Sequence, residues 1–345
     1  MKSAPFGLLL GTVAELRKSW VRRKNRLRAG RFWGKHHSSS SATHAFWLGV
    51  DEVMAWVNLK VSGHPQIWPL SWFLMSLPPD QLPVRYALSI GCGEGSLERE
   101  VIRHEAALRV TGIDVSSKSL ELASRLAGRA GYGDRLEYRR SAAEAWLAGG
   151  EGEDAIDLIF FHASLHHMEQ LERVLSLCAR RLVRGNPGLL YVDEYIGPSR
   201  DEWTEFDLRH SATLFERIPR RFRQQRSLRF PIAYEDPTEM IRSSEIEPLL
   251  RQHFEVTEYR PYYGNVLMPL VCGIRPEYLE DSRVRTVLRE AMKLEDDLAR
   301  QGAIDPIYAV FVARPKAPEG HSRTDSSSGF TDQMIRRTPP SSASP

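Results

Sequence analysis

The sequence predicts an α/β fold: a mostly parallel, seven-stranded sheet with helices on both faces and a helical cap. Three observations carry this. Strand-like and helix-like segments alternate from Tyr86 to Ile196. Ala155 to Phe161 is mostly apolar, as a strand covered on both faces must be. The first strand candidate runs directly into a glycine-rich turn.

In order, Tyr86–Ile90 is the first strand, Ser96–Ala107 a helix, Arg109–Val115 the second strand and Ser117–Ala130 a helix stopped by Gly131. Leu136–Arg140 is the third strand and Ala155–Phe161 the fourth. Leu171–Leu182 is a helix, with Leu171, Val174, Leu175, Cys178 and Leu182 on one face, and Leu189–Ile196 is the fifth strand. Beyond Ile196 the rhythm changes. Ser199–Arg229 is arginine-rich, helical at first and broken by Pro219. Ser244 and Glu247 form a capping-box pattern for a short helix reaching Arg251. Phe254–Tyr259 and Ile307–Val312 are late strands. Between them, Val284, Val287, Ala291, Leu294 and Leu298 share a helix face that ends at Gly302.

These elements divide the chain into a basic extension (1–41), a tryptophan-rich helical cap (42–84), a main domain (85–315) and a Ser/Pro-rich tail (316–345) expected to be disordered. Lid insertions are expected at about 199–240 and 264–302. The serine run Ser38–Ser41 suits a flexible joint, and the cap aromatics are expected mainly as core.

Composition narrows the class. Hydrophobic residues make up 42% and charged residues 26%, ordinary values for a globular protein with a sizeable core. Cys92, Cys178 and Cys272 are widely spaced, which argues against a zinc ribbon or a disulfide framework and for a reducing compartment. The apolar stretch Ile67–Leu77 is short and holds Pro69, and Phe6–Leu10 lacks a cleavage site, so a cytoplasmic protein is expected. The net charge of +3 conceals ten Lys or Arg and one acid, Glu15, between Met1 and Lys35. Such an arm can touch an anionic membrane surface, but a solvated, partly disordered extension is the favoured expectation, and no nucleic-acid partner is expected.

The motif with most chemical content is Leu88-Ser89-Ile90-Gly91-Cys92-Gly93-Glu94-Gly95. Glycines there let the backbone turn sharply and approach a ligand closely. About twenty residues on, Gly112-Ile113-Asp114-Val115-Ser116 sets an acid at the end of the second strand, where a carboxylate can accept hydrogen bonds from both ribose hydroxyls. Ser141-Ala142-Ala143-Glu144 follows the third strand and His162-Ala163-Ser164-Leu165-His166-His167 the fourth, both at the carboxyl edge where open α/β sheets bind ligands.

This ordered series resembles the class I S-adenosylmethionine-dependent methyltransferases over Arg85 to Ile196. The downstream run Asp193–Arg200 is similar to one in bacterial members of unsettled substrate. The resemblance implies a Rossmann-like fold and S-adenosyl-L-methionine as cofactor. It implies Gly91, Gly93 and Gly95 around the methionine end, Asp114 on the ribose, Val115 against the adenine with Ser141 and Ala142 near its edge, and His162, after the fourth strand, among the cofactor-binding residues. Ser89 and Ser141 depart from the common pattern, in which both positions are often acidic.

Methyl transfer to a hydroxyl or amine needs an in-line acceptor and removal of a proton. His166 or Glu194 is the candidate base; alternatively the histidines shape their loop and Glu194 pairs with a lid arginine. No Asn-Pro-Pro-Tyr-like segment follows the fourth strand and no Pro-Cys dipeptide is present, so adenine-amine and cytosine methylation are poor fits. No metal is expected. A small-molecule acceptor fits best, methylated at O or N. An acidic one would suit Arg217-Ile218-Pro219-Arg220-Arg221-Phe222-Arg223, with Trp203 and Phe206 as lid aromatics. Two other classes share the glycine turn: a non-catalytic cofactor-binding protein, and an NAD-dependent oxidoreductase, whose third glycine would fall at Ser96.

Overall fold

The computed structural model describes residues 6–36, 47–149, 155–183 and 185–316, and within 6–36 the side chains of 18–33. Among the described residues seven strands form one sheet: β1 (Val84–Ile90), β2 (Ala107–Asp114), β3 (Leu136–Arg140), β4 (Leu158–His162), β5 (Leu189–Tyr195), β6 (Phe254–Pro261) and β7 (Tyr308–Pro315). Their order is β3-β2-β1-β4-β5-β7-β6. β1 to β5 run parallel, and β7 inserts antiparallel between β5 and β6. The order reverses between β1 and β4, which opens a crevice beyond their carboxyl ends.

Alternation along each strand explains the two helical layers. In β1 Tyr86, Leu88 and Ile90 face one core while Ala87 faces the other. In β4 Ile159 and Phe161 oppose Leu158 and Phe160, and in β7 Ala309, Phe311 and Ala313 oppose Val310 and Val312. The first core is closed by α6 (Ala143–Gly149), α7 (Leu171–Leu182) and α9 (Ile246–His253). The second, larger core takes α2 (Asp51–Ser62), α3 (Pro69–Ser76), α4 (Ser96–Arg103), α5 (Ser117–Arg129), α8 (Glu205–Phe215), α10 (Leu267–Cys272) and α11 (Ser282–Arg300).

The cap, as expected of its aromatics, is core. Phe73 of α3 lies 4.9 Å from the Tyr191 ring and 6.2 Å from that of Phe160. Glu52 of α2 accepts from Arg285 and Arg289 of α11, and Lys60 pairs with Asp296. The expected lids are corrected in the same way. Trp203 and Phe222 are buried in the second core, and Val284, Val287, Leu288 and Ala291 make α11 part of it. Both segments carry the apolar surface that a bare sheet face needs covered.

Several boundaries differ from the sequence reading, those around α4, α9 and α8 for clear local reasons. α4 stops at Arg103 because the chain turns at Glu105, which adopts a left-handed φ of 55° to enter β2. The Ser244–Glu247 capping box does not form: Ser244 Oγ pairs with Ser199 Oγ at 2.9 Å, and α9 begins at Ile246 after a 3₁₀ turn. The capping box that does form is Thr204 with Asp207, at the start of α8.

The largest difference is the basic arm. Phe6–His36 is one helix, α1, rather than a solvated coil. Where its side chains are described it docks: Ala29 is buried, and Arg26 Nη2 donates to Glu144 at 2.7 Å. Trp33 Nε1 donates to Asp236 Oδ2 at 2.8 Å. No helix among the described residues is long and apolar enough to cross a membrane. The serine joint and the tail from residue 317 onward lie outside the described residues.

Candidate active site

The crevice between β1 and β4 is floored by the glycine turn. Gly91, Gly93 and Gly95 all have positive φ, at 75°, 53° and 75°. Space as well as φ demands glycine: a Cβ at Gly91 would collide with Ser164 and one at Gly95 with the Tyr138 hydroxyl. The turn is pinned to β2, since Gly91 N and Cys92 N both donate to Ile113 O, at 2.8 and 3.1 Å. Asp114 completes the tie: Oδ2 accepts from Gly93 N at 3.0 Å and Oδ1 from Ser116 N at 2.7 Å. Each oxygen of a carboxylate has a second lone pair, and Asp114 is half-buried, so acceptor capacity remains for a diol.

The other expected cofactor residues ring the same edge. Ser141 N donates to Asp114 O at 3.1 Å and Ser141 Oγ to Ala142 O, which joins the end of β3 to the end of β2. Val115 lies under α1, where a Cβ added to Gly30 would come within 3.0 Å of its carbonyl oxygen. His162 ends β4 as an exposed imidazole, with Nε2 3.8 Å from Asp193 Oδ2. Asp193 is buried at the end of β5 and is held by Tyr262 OH at 2.8 Å.

Sequence reasoning passed over Glu98. It is fully buried in α4, and burial pushes its carboxyl up to about 7 against a smaller lowering by the Ser89 hydroxyl, with Asp114 adding to the rise. An acid therefore does reach the space beside Ser89, but it comes from the following helix.

The candidate bases have structural partners. Glu194 Oε2 accepts from the backbone N–H groups of Ser164 and Leu165, at 2.7 and 2.6 Å. Its Oε1 accepts from Tyr195 N and His166 Nδ1, at 2.7 and 2.5 Å. The expected lid arginine is not its partner; Glu194 ties the loop after β4 to β5. Burial opposes charge on His166, but Glu194, Glu239 and Asp236 outweigh it and raise the ring's pKa to about 9. His167 moves down, by burial and by its neighbour's charge. His167 Nδ1 is 3.2 Å from Thr238 Oγ1 and 3.5 Å from Asp236 Oδ2, and Trp33 of α1 packs edge-on against its ring. Asp236, Thr238 and Glu239 gave no sequence signal, for they sit in an irregular segment far from the motifs.

The arginine segment is partly spent on structure. Arg217 pairs with Glu290, and Arg223 donates to Ile218 O and Glu216 O. Arg220 and Arg221 are exposed, with Arg221 over the Phe222 ring.

Residues 87–185, from within β1 to just past α7, match the family described as a methyltransferase domain. That stretch, under a third of the chain, is thus similar to a methyltransferase domain. Two curated relatives align with part of this chain, and both are ubiquinone biosynthesis O-methyltransferases. That of Paracidovorax citrulli is 35% identical over 101 residues, 29% of this chain and 40% of that protein. That of Psychrobacter cryohalolentis is 31% identical over 98 residues, 28% of this chain and 37% of that protein. The chain thus aligns with well under half the length of either. Among solved structures, geranyl diphosphate C-methyltransferase from Streptomyces coelicolor A3(2) aligns with 85% of this chain and 98% of its own, at 15% identity and a TM-score of 0.47. The [4+2]-cyclase SpnF aligns with 81% and 89%, at 18% identity and a TM-score of 0.45. The matched stretch holds the glycine turn, Asp114, Ser141, His162, His166 and His167, whereas Glu194 and Glu239 lie beyond it.

Proposed function

We propose that this protein is an S-adenosylmethionine-dependent methyltransferase that methylates an oxygen of a small-molecule acceptor. The observation that carries the reading is the glycine turn held by Asp114 at the switch point, inside the stretch similar to a methyltransferase domain. The residues fit the cofactor. Three left-handed glycines bring bare backbone to the crevice, and Asp114 keeps lone pairs for two ribose hydroxyls. Gly91, Gly93 and Gly95 would hold the methionine end, with Val115, Ser141 and Ala142 beside the adenine. Bound there, S-adenosylmethionine supplies an electrophilic methyl group on a sulfonium. An NAD-dependent reading is not favoured, since α4 starts with Ser96 where the third glycine of that pattern would stand.

Oxygen is favoured as the acceptor atom because both curated relatives are O-methyltransferases. The general base is assigned to His162 rather than to the expected His166 or Glu194. His162 is exposed at the carboxyl end of β4, next to β1, and the buried Asp193 sits behind it. Tyr262 fixes that side chain in turn, and a carboxylate 3.8 Å from Nε2 would stabilise the imidazole's positive form when it takes the acceptor's proton.

The test is release of S-adenosylhomocysteine by the full chain across a panel of phenols, catechols and hydroxy acids. Turnover with at least one oxygen acceptor is expected. His162→Ala should lower kcat by about 10²- to 10⁴-fold and leave cofactor affinity unchanged. Loss of cofactor binding in that variant would return His162 to the cofactor-binding residues. A parent that binds the cofactor and turns over no acceptor would favour a binding protein.

A further inference from the structure

Beside the crevice, three side chains from two distant segments converge. His166 Nε2 lies 3.9 Å from Glu239 Oε1, and His167 Nε2 lies 3.9 Å from Glu239 Oε2. The three ligand atoms all lie within 4.8 Å of one another. His166 and Glu239 are buried and His167 is half-buried. These separations are too long for hydrogen bonds, so one carboxylate faces two imidazoles across a gap.

Proton bookkeeping shows what the gap lacks. Glu194 accepts three backbone N–H groups, so toward His166 Nδ1 it can only accept again, and the ring's proton sits on Nδ1. Thr238 Oγ1 gives its own hydrogen to Asp236 Oδ1 at 2.7 Å, so it too accepts from His167 Nδ1. With both Nδ1 atoms engaged, Nε2 is the nitrogen that each ring turns toward Glu239, and on His166 it offers a lone pair once a metal ion replaces the proton there. Three electron-pair donors aimed at one point need a cation among them. Imidazoles whose far nitrogen is held by a carboxylate or hydroxyl are oriented as metal ligands usually are. Donors around a single four-coordinate ion stand about 3.3 Å apart, so the two histidine–carboxylate separations need to contract by about half an ångström and the histidine–histidine one by at most about 1.5 Å.

We propose that His166 Nε2, His167 Nε2 and the Glu239 carboxylate bind one divalent transition-metal ion of the zinc class. Two imidazoles and one carboxylate select such an ion over magnesium. Three protein donors leave a position for an exchangeable oxygen ligand. The ion would sit close to the glycine turn, because Ser164, two residues before His166, donates its hydroxyl to Ile90 O at 2.7 Å. Trp33 covers the His167 side, which also makes α1 part of the wall of the site. The proposal stands apart from the methyl-transfer reading, since binding can be read with no cofactor present.

The experiment uses tag-free, chelator-treated full chain, titrated calorimetrically with Zn²⁺ and, separately, with Mg²⁺. Binding of one Zn²⁺ per chain is expected, with an upward shift in Tm and at least tenfold weaker Mg²⁺ binding. Glu239→Gln and His167→Gln, each confirmed as folded by circular dichroism, should weaken Zn²⁺ at least tenfold and lose the Tm shift. His64→Ala, on the exposed surface, should behave as the parent. If a substitution unfolds the apo chain, Co²⁺ added to the parent supplies the readout, with visible absorption of a low-symmetry nitrogen–oxygen site expected. Absence of stoichiometric Zn²⁺ binding to the parent would overturn the proposal and leave a proton on His166 as the cation. So would unchanged affinity in a folded Glu239→Gln, or a Co²⁺ spectrum identical to that of the aqueous ion.

Discussion

At the scale of single residues, the same side-chain types do different work according to what surrounds them. Glu194 is saturated by three backbone N–H groups and one imidazole, and so is an anchor. Glu98 is buried with its pKa raised to about 7, so folding favours its protonated form. The sign follows from linkage. A carboxyl whose folded pKa lies above its unfolded value near 4.5 contributes stability below that value, and loses it as pH rises toward 7. Glu98→Gln, which stays neutral, should therefore melt several degrees above the parent at pH 8. The difference should shrink to nothing by about pH 4.5. A pH-independent difference in melting temperature would show that Glu98 is not ionising in this range. The legibility of these residues follows their spacing. Gly91, Gly93, Gly95 and Asp114 were readable because backbone geometry confines them to two short contiguous motifs. Glu239 was not, because its partners His166 and His167 are brought to it only by the fold, and Glu98 looked like any other helix acid.

At the scale of elements, strands and helices with one buried face were legible, since periodicity records which face is buried. β3 and α7 have the bounds the pattern gave them. α1 was not legible, because it docks through a few positions rather than an apolar stripe. Gly30 meets Val115 just beyond the end of β2, Ala29 is buried, Arg26 and Trp33 add polar ties, and Trp20, Val21 and Leu27 remain exposed. Net charge suggested a solvated arm, and close approach at a small residue decided otherwise. The consequence is testable. Gly30→Leu would force the helix off the Val115 carbonyl, so amides 18–33 should exchange hydrogen at least tenfold faster than in the parent, with the sheet unchanged. Equal protection in both proteins would mean that α1 is not held by this contact.

At the scale of the molecule, one sheet whose strand order reverses between β1 and β4 places the glycine turn, Asp114, His162 and the histidine–glutamate cluster along one edge. The segments taken from sequence as lids instead complete the second core, because helices on that face must be covered. The Ser/Pro-rich tail lacks the apolar content to join either core, so removal of residues 317–345 should leave Tm within about 1 °C. A fall of several degrees would show that the tail is docked. The most direct measurement is calorimetric titration of S-adenosylmethionine, and of NAD, into the parent and into Asp114→Ala, with a thermal melt to confirm that the variant is folded. The predicted result is binding of S-adenosylmethionine and not NAD by the parent, with affinity lower in Asp114→Ala by about 2 kcal/mol, roughly thirtyfold. Equal affinity in a folded Asp114→Ala, or preference of the parent for NAD, would contradict the assignment of this crevice.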